Sequence, residues 1–339
     1  MIFRSCLLAT ASLVFSLWGC SGAPDAASNQ AADSGDAAPK PPRNRLLFCG
    51  DVMLCRDVGA QIRRHKDPAY PFRKIAPFLA AADLTFVNLE SPFADRGPRG
   101  DRGMVFRAPP ETIEGLVLSG VDVAATANNH TRDCGSYGVT FTIDWLKQHH
   151  IEPVGTAATS EAAHEGVVLE RNGVRFGFLA YTYDQNNGNW RDTDPRIAML
   201  DPEAMRRDVS AIRKKSDVVI VSMHAGYEYR KNPNAGQVQF AHQAIDAGAA
   251  LVIGHHPHVT QPMEKYRDGV IFYSLGNFIF DQYQRVATQH GEIAEVTFSG
   301  HAVEQTNLYP ISIKQDGPEL DRRKDPVKED KIQAPSAKL

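Results

Sequence analysis

The sequence predicts an α/β domain whose central strands are largely parallel and covered on both faces. Short runs rich in Val, Ile, Leu and Phe alternate with stretches in which apolar residues recur every three or four positions. Two late runs, Ala294–Phe298 and Val303–Ile313, have no helical stretch between them and point to an added antiparallel part. Nearly every earlier run stops at residues that bind metals or move protons, and the carboxyl ends of strands are where such sheets place their chemistry.

The chain opens with Arg4, an apolar segment from Cys6 to Trp18, and Gly19-Cys20, so residues 1–20 read as a signal peptide. The apolar segment is shorter than the about 20 residues a membrane span needs. Leu17-Trp18-Gly19-Cys20 resembles the lipobox of bacterial lipoproteins. That resemblance implies lipidation at Cys20 and an exported lipoprotein anchored to a membrane of the cell envelope; plain cleavage nearby is the alternative. Residues 21–44 are Ala, Ser, Gly, Asp and Pro without periodicity, a flexible linker. Residues 45–315 hold the α/β pattern. From 316 to 339 Asp, Lys, Glu and Pro dominate, the composition of a disordered tail.

Within the domain the expected strands are Leu46–Gly50, Leu84–Val87, Val121–Ala125, Val174–Ala180, Val218–Ser222, Leu251–Ile253 and Val270–Tyr273. Ile75, Phe78, Leu79 and Ala82 share one helical face, as do Val139, Ile143 and Leu146. Met205, Val209 and Ile212 share another, and Val238, Ala241 and Ile245 a fourth. A hydrophobic content of 42% over 339 residues is enough to bury a sizeable core. A formal charge of −3 gives no reason to expect a nucleic-acid partner. Cys49 lies in an apolar run and reads as a core residue, while Cys55 and Cys134 could pair as a disulfide or stay free.

The polar strand ends are the informative feature. The first run ends at Asp51, the second at Asn88 and Glu90, the third at Asn128-Asn129-His130. The fifth ends at His224, with Glu228 beyond it. The sixth ends at His255-His256-Pro257-His258, and the seventh at Gly276-Asn277. Singly, each has a plain reading: Asp51 could cap a helix, Asn88 could make an Asx turn, and His130 or His224 could be a satisfied core histidine. Jointly they form a carboxylate, carboxamide and imidazole set suited to two divalent cations about 3.5 to 4 Å apart. Neutral imidazole and carboxylate ligands suit Mn, Zn or Fe. Arg96, Arg99, Arg102 and Arg107 lie in a loop that could face an anionic substrate or simply be solvated, and Tyr183, Trp190 and Tyr229 could wall a cleft. His65, His164, His290 and His301 stand alone and read as structural.

In order, Gly50-Asp51-Val52-Met53, Asn88-Leu89-Glu90, Ala127-Asn128-Asn129-His130, His224 with Glu228-Tyr229, Gly254-His255-His256-Pro257-His258-Val259 and Tyr273-Ser274-Leu275-Gly276-Asn277-Phe278 resemble the CapA family of capsule and poly-γ-glutamate synthesis proteins. The resemblance runs from about Arg45 to Asp281. It implies a four-layer α/β/β/α sandwich of the calcineurin-like metallophosphoesterase type. It also implies a role in making or exporting capsule polyglutamate at the cell surface. By the same comparison His130 would be the general acid, and Asp51, Asn88, Glu90, Asn129, His224, His256 and His258 would ring one or two divalent metal ions. His255, Glu228, Asn277 and Arg56 are candidates for a supporting or substrate-binding place. Met53 stands where the wider superfamily usually has a histidine, and Ala225 where relatives often have tryptophan.

The resulting expectation is a metal-dependent hydrolase of phosphoesterase type, acting on a phosphoester or a γ-glutamyl amide within or alongside an anionic polymer. Two alternatives stand beside it. One is a non-catalytic envelope subunit that binds polyglutamate or a membrane synthase; the other is a metallophosphodiesterase unrelated to capsule.

Overall fold

A computed structural model of the chain describes residues 41–97, 104–321 and 327–328. The expected signal peptide with Cys20, most of the linker, and the loop arginines Arg99 and Arg102 lie outside the described residues. The first half of the domain contains β1 (Arg43–Val52), α1 (Arg56–His65), α2 (Ala76–Leu79), β2 (Leu84–Leu89), α3 (Ile113–Leu118), β3 (Val123–Ala125), α4 (Gly135–Gln148) and β4 (Glu152–Val154). The second half continues with α5 (Ser160–Glu165), β5 (Val167–Arg171), β6 (Val174–Thr182), α6 (Pro202–Ile212), β7 (Val218–His224), α7 (Ala235–Ala247) and β8 (Leu251–His255). It closes with β9 (Thr260–Tyr266), β10 (Gly269–Leu275), β11 (Asn277–Ile279), β12 (His290–Ser299), β13 (Ala302–Lys314), β14 (Gly317–Leu320) and β15 (Val327–Lys328).

These strands form two sheets. The first runs β14-β13-β12-β1-β2-β3-β4, with β11 added to β1 and β15 to β13; the second runs β5-β6-β7-β8-β10-β9. Strands β1 to β4 are mutually parallel, as are β6, β7, β8 and β10, while β12 and β13 are the expected antiparallel part. The two-residue period of a strand sorts side chains into layers. Leu47 and Cys49 of β1 face Val58, Ile62, Leu79 and Leu116 of α1 to α3. Leu46 and Phe48 face the other way and meet Phe178, Ile220 and Phe272 of the second sheet. On the far side of that sheet Val219, Val221 and Ile271 pack on Met205, Val209, Phe240 and Ala244 of α6 and α7. The result is the four-layer α/β/β/α sandwich. Burying one such large apolar side chain is worth about 1.5–3 kcal/mol.

Several boundaries differ from expectation. Helix α1 escapes the sequence pattern because only Val58 and Ile62 carry its apolar stripe among Arg, Gln and His. The helix expected over Ile75–Ala82 contracts to a single turn, α2, with Pro77 in its first turn. Strand β1 begins at Arg43, inside the expected linker, because β12 extends far enough to pair with it there. Strand β14 lies inside the expected tail and pairs with β13 as an edge strand. Cys49, Cys55 and Cys134 are buried free thiols, so Cys55 and Cys134 are not joined. Among the described residues no helix is long and apolar enough to cross a membrane.

Candidate metal centre

Strand register builds the site. Asn277, Asp51 and Asn88 lie side by side on β11, β1 and β2 of the first sheet, and His224 and His255 are neighbours on β7 and β8 of the second. The carboxyl ends of the two sheets therefore meet. Gly50 permits this, since a Cβ there would lie 2.0 Å from the Gly276 carbonyl oxygen. Beyond β8 the backbone of His256 and His258 turns left-handed, with φ of 97° and 57° on either side of Pro257. Such conformations are costly for residues with a Cβ and persist where the surroundings fix them.

Asp51 is fully buried and accepts a hydrogen bond from Asn88 Nδ2 at 2.8 Å. His255 Nδ1 and His258 Nδ1 stand 3.4 and 3.3 Å from its two oxygens. Burial would raise its carboxyl, but these two imidazoles outweigh that and hold it well below the ordinary carboxylate range. Glu90 is the opposite case. Burial first, then the charges of Asp51 and Glu228, push it well above the ordinary range. Both Glu90 oxygens are buried without any hydrogen-bond donor, and Asn88 Oδ1, Nε2 of His255 and Nδ1 of His256 likewise lack partners. Unsatisfied buried polar atoms are rare in proteins because each forfeits its hydration.

Glu90 and His256 converge with Asp51, His224 and His258. Ligand atoms of Glu90, His224 and His256 lie within 4.8 Å of one another, as do those of Asp51, Glu90 and His258. Two three-residue groups thus share one carboxylate. Burial, and then the neighbouring His256, hold His224 well below the usual histidine range; His256 is lowered to about 3 by burial and by His258. Neutral imidazoles are the form that binds cations. The donor set of two carboxylates, the neutral imidazoles of His224 and His256 and the ring of His258, with both Glu90 oxygens unsatisfied among them, fits divalent metal.

Around the cluster, His224 Nε2 donates to Asn129 Oδ1 at 2.8 Å, and His258 Nδ1 donates to Asn277 Oδ1 at 3.0 Å. His130 presents Nε2 4.0 Å from Glu90, while its Nδ1 donates to Asp133 at 2.7 Å and its ring stacks on Phe106 at 3.8 Å. Asp133 and Phe106 are supports that the sequence reading missed; the signal was the His-x-x-Asp spacing from 130 to 133. Tyr183 donates its hydroxyl to His256 Nε2 at 3.2 Å. Glu228 is half-buried, and its charge is felt at Glu90, Tyr183 and Tyr229.

Not every candidate reaches the cluster. Arg56 is committed to an ion pair with Asp281 and lies over the rings of Phe106 and Phe280, behind His130 and His258. Met53 is fully buried, and its sulfur accepts the Cys55 N–H at 3.2 Å. Arg96 rests on Tyr137 and Arg107 donates to the Gly97 carbonyl. His164 is held by Asp208, and His65 stacks on Tyr70.

Two sheets meeting at a buried carboxylate-imidazole cluster define the class: a chain of the metallophosphoesterase fold with residues able to hold divalent metal. The NAD nucleotidase of Haemophilus influenzae shares the fold, with a TM-score of 0.50 at 8% identity, over 86% of this chain and 61% of that one. The chain belongs to the family described as bacterial capsule synthesis protein PGA_cap, whose sequence model matches residues 45–282. It is 30% identical over 282 residues to the capsule biosynthesis protein CapA of Bacillus anthracis, covering 80% of this chain and 68% of that protein. It is also 30% identical over 289 residues to the PGA biosynthesis protein CapA of Bacillus subtilis strain 168, covering 84% and 74%.

Proposed function

We propose that this protein is a metal-dependent hydrolase of the cell envelope, acting on a γ-glutamyl amide of a capsule-type polymer, exported and held at a membrane by a lipid on Cys20. The observation that carries the catalytic part is the buried Glu90 carboxylate, without a donor and shared by two ligand groups, beside the His130–Asp133 pair. The capsule part rests on family membership and on the names of the two Bacillus relatives.

Asp51, Glu90, His224, His256 and His258 would hold the metal, with Asn88, Asn129 and His255 in reach. Bound there, divalent cations supply activation of water and neutralisation of charge on the attacked carbonyl or phosphoryl oxygen. The chain's own residues do the rest. Asp133 fixes the His130 ring so that Nε2 faces the cluster, and this is the atom that hands a proton to the departing nitrogen or oxygen. Asn277 and Tyr183 fix the rings of His258 and His256.

Metal analysis and turnover of a γ-linked glutamate oligomer test the proposal. His130→Ala should lower turnover by about 10²–10⁴-fold while metal content and fold persist. Full activity in that variant, or a wild type that takes up no divalent metal, would sink it. Cleavage of a phosphodiester but not of the oligomer would move the substrate to the phosphoester class. One observation favours a non-catalytic polymer-binding subunit: Met53 stands where the wider superfamily usually has a histidine. A metal-loaded wild type that binds the oligomer without cleaving it would select that reading.

A further inference from the structure

Tyr229 connects the cluster to the surface. Its ring lies 6.3 Å from that of His258, and the Arg285 guanidinium carbon stands 4.4 Å from the centre of the same ring. Arg285 is exposed, and among the described residues no carboxylate forms an ion pair with it. Arg56, which also acts on Tyr229, is by contrast committed to Asp281.

The backbone of Arg285 is pinned. Its carbonyl accepts from Thr288 N at 3.2 Å and Thr288 Oγ1 at 2.9 Å. The Thr288 carbonyl accepts from Asn277 Nδ2 at 3.0 Å, and Asn277 in turn holds His258. Gln282 closes a second route, accepting from Asn277 at 3.2 Å and donating to the Tyr229 hydroxyl at 3.3 Å. Arg285 is thus registered to the candidate metal ligand His258 by a hydrogen-bonded path through Thr288 and Asn277, and by its ring contact with Tyr229, which Gln282 ties to the same Asn277.

A guanidinium laid on an aromatic ring has less freedom to lose on binding, and its planar fork matches a carboxylate. We propose that Arg285, supported by Tyr229, anchors a free carboxylate of the substrate beside the bond presented to the Glu90 cluster. The site then selects a chain of carboxylate-bearing residues over a neutral one. In γ-linked glutamate the free α-carboxylate is carried a few bonds from the γ-amide carbonyl, as this arrangement needs. The position of the reacting bond rests on the hydrolase reading, whereas the anchor is read by binding alone.

The test is calorimetric titration of the whole protein with three probes: a γ-linked glutamate oligomer, its neutral α-methyl ester, and inorganic phosphate. Arg285→Gln should bind the acid oligomer about ten-fold or more weakly, with a shallower salt dependence and unchanged metal uptake and thermal midpoint. Both proteins should bind the ester equally. Arg285→Lys, which keeps the charge but not the fork, should recover part of the affinity, and it carries the test if the glutamine variant fails to fold. Equal affinity of wild type and both variants for the acid, a wild type that does not bind it, or Arg285-dependent binding of phosphate alone would overturn the anchor. Arg285-dependent binding without turnover would overturn the hydrolase reading and leave the anchor standing.

Discussion

Glu90 sits fully buried with neither oxygen satisfied by the protein, while Asp51 a few ångströms away is held ionised by two imidazoles. Two adjacent carboxylates with opposite tendencies are what a cation site looks like when only protein atoms are counted. Asp51, Glu90, His224, His256 and His258 were legible as candidates because each follows an apolar run. What holds them was not. Asp133, Phe106, Tyr183 and Gln282 belong to loops with no periodic signal; only Asp133 has its partner, His130, close by in sequence, while the rings that Phe106, Tyr183 and Gln282 meet are distant. Asn277 shows how much rests on such support, since it bonds His258, Gln282 and the Thr288 carbonyl at once. Asn277→Ala should weaken divalent affinity by about 10–100-fold, measured by calorimetric titration with Mn²⁺ or Zn²⁺. Undiminished affinity would mean that His258 is oriented by something else.

Among the elements, β1 carries the first carboxylate and must approach β11 closely. Gly50→Ala would drive a methyl into the Gly276 carbonyl, separating the strands and displacing Asp51. We expect a loss of about 1–3 kcal/mol in denaturant unfolding, together with weaker metal uptake. A variant as stable as wild type would show that the strands can slide apart freely. Helices α5 and α6 meet through His164 and Asp208, whose oxygen also accepts from Tyr181. The Asp208 carboxylate raises the His164 pKa, so the folded protein holds that proton more tightly than the unfolded chain, where histidine titrates near about 6.5. The contribution is complete below the unfolded value and disappears as pH rises through the raised folded one. The gap in thermal midpoint between wild type and His164→Gln should therefore be widest near about pH 5.5 and narrow by about pH 8.5. A gap constant with pH would assign the contact to packing alone.

At the scale of the molecule, the candidate ligands come from both sheets: Asp51, Asn88 and Glu90 from the first, and His224, His256 and His258 from the second or the turn after it. A cation held there ties the two halves of the sandwich at their carboxyl edges. Ligand binding to the folded state alone stabilises it by about 2.7 kcal/mol at a hundred-fold excess over Kd. Adding a chelator should therefore lower the thermal midpoint by several degrees in wild type and much less in Glu90→Gln, read by scanning calorimetry. Identical chelator responses in the two proteins would place the metal elsewhere.

The sequence by itself determined the alternation of strands and helices, the apolar faces that become three layers of core, and the set of polar strand ends from which a metal site could be chosen. Those are local properties, written in periods of two and about three and a half residues. Tertiary structure decided the rest. Register on two separate sheets made neighbours of Asn277, Asp51 and Asn88 and of His224 and His255. Left-handed turns at His256 and His258 aimed the imidazoles, and packing placed Asp133 behind His130 and Arg285 on Tyr229. Apart from Asp133, which follows His130 by three residues, these partners lie far apart in the chain, and no short window of sequence contains both.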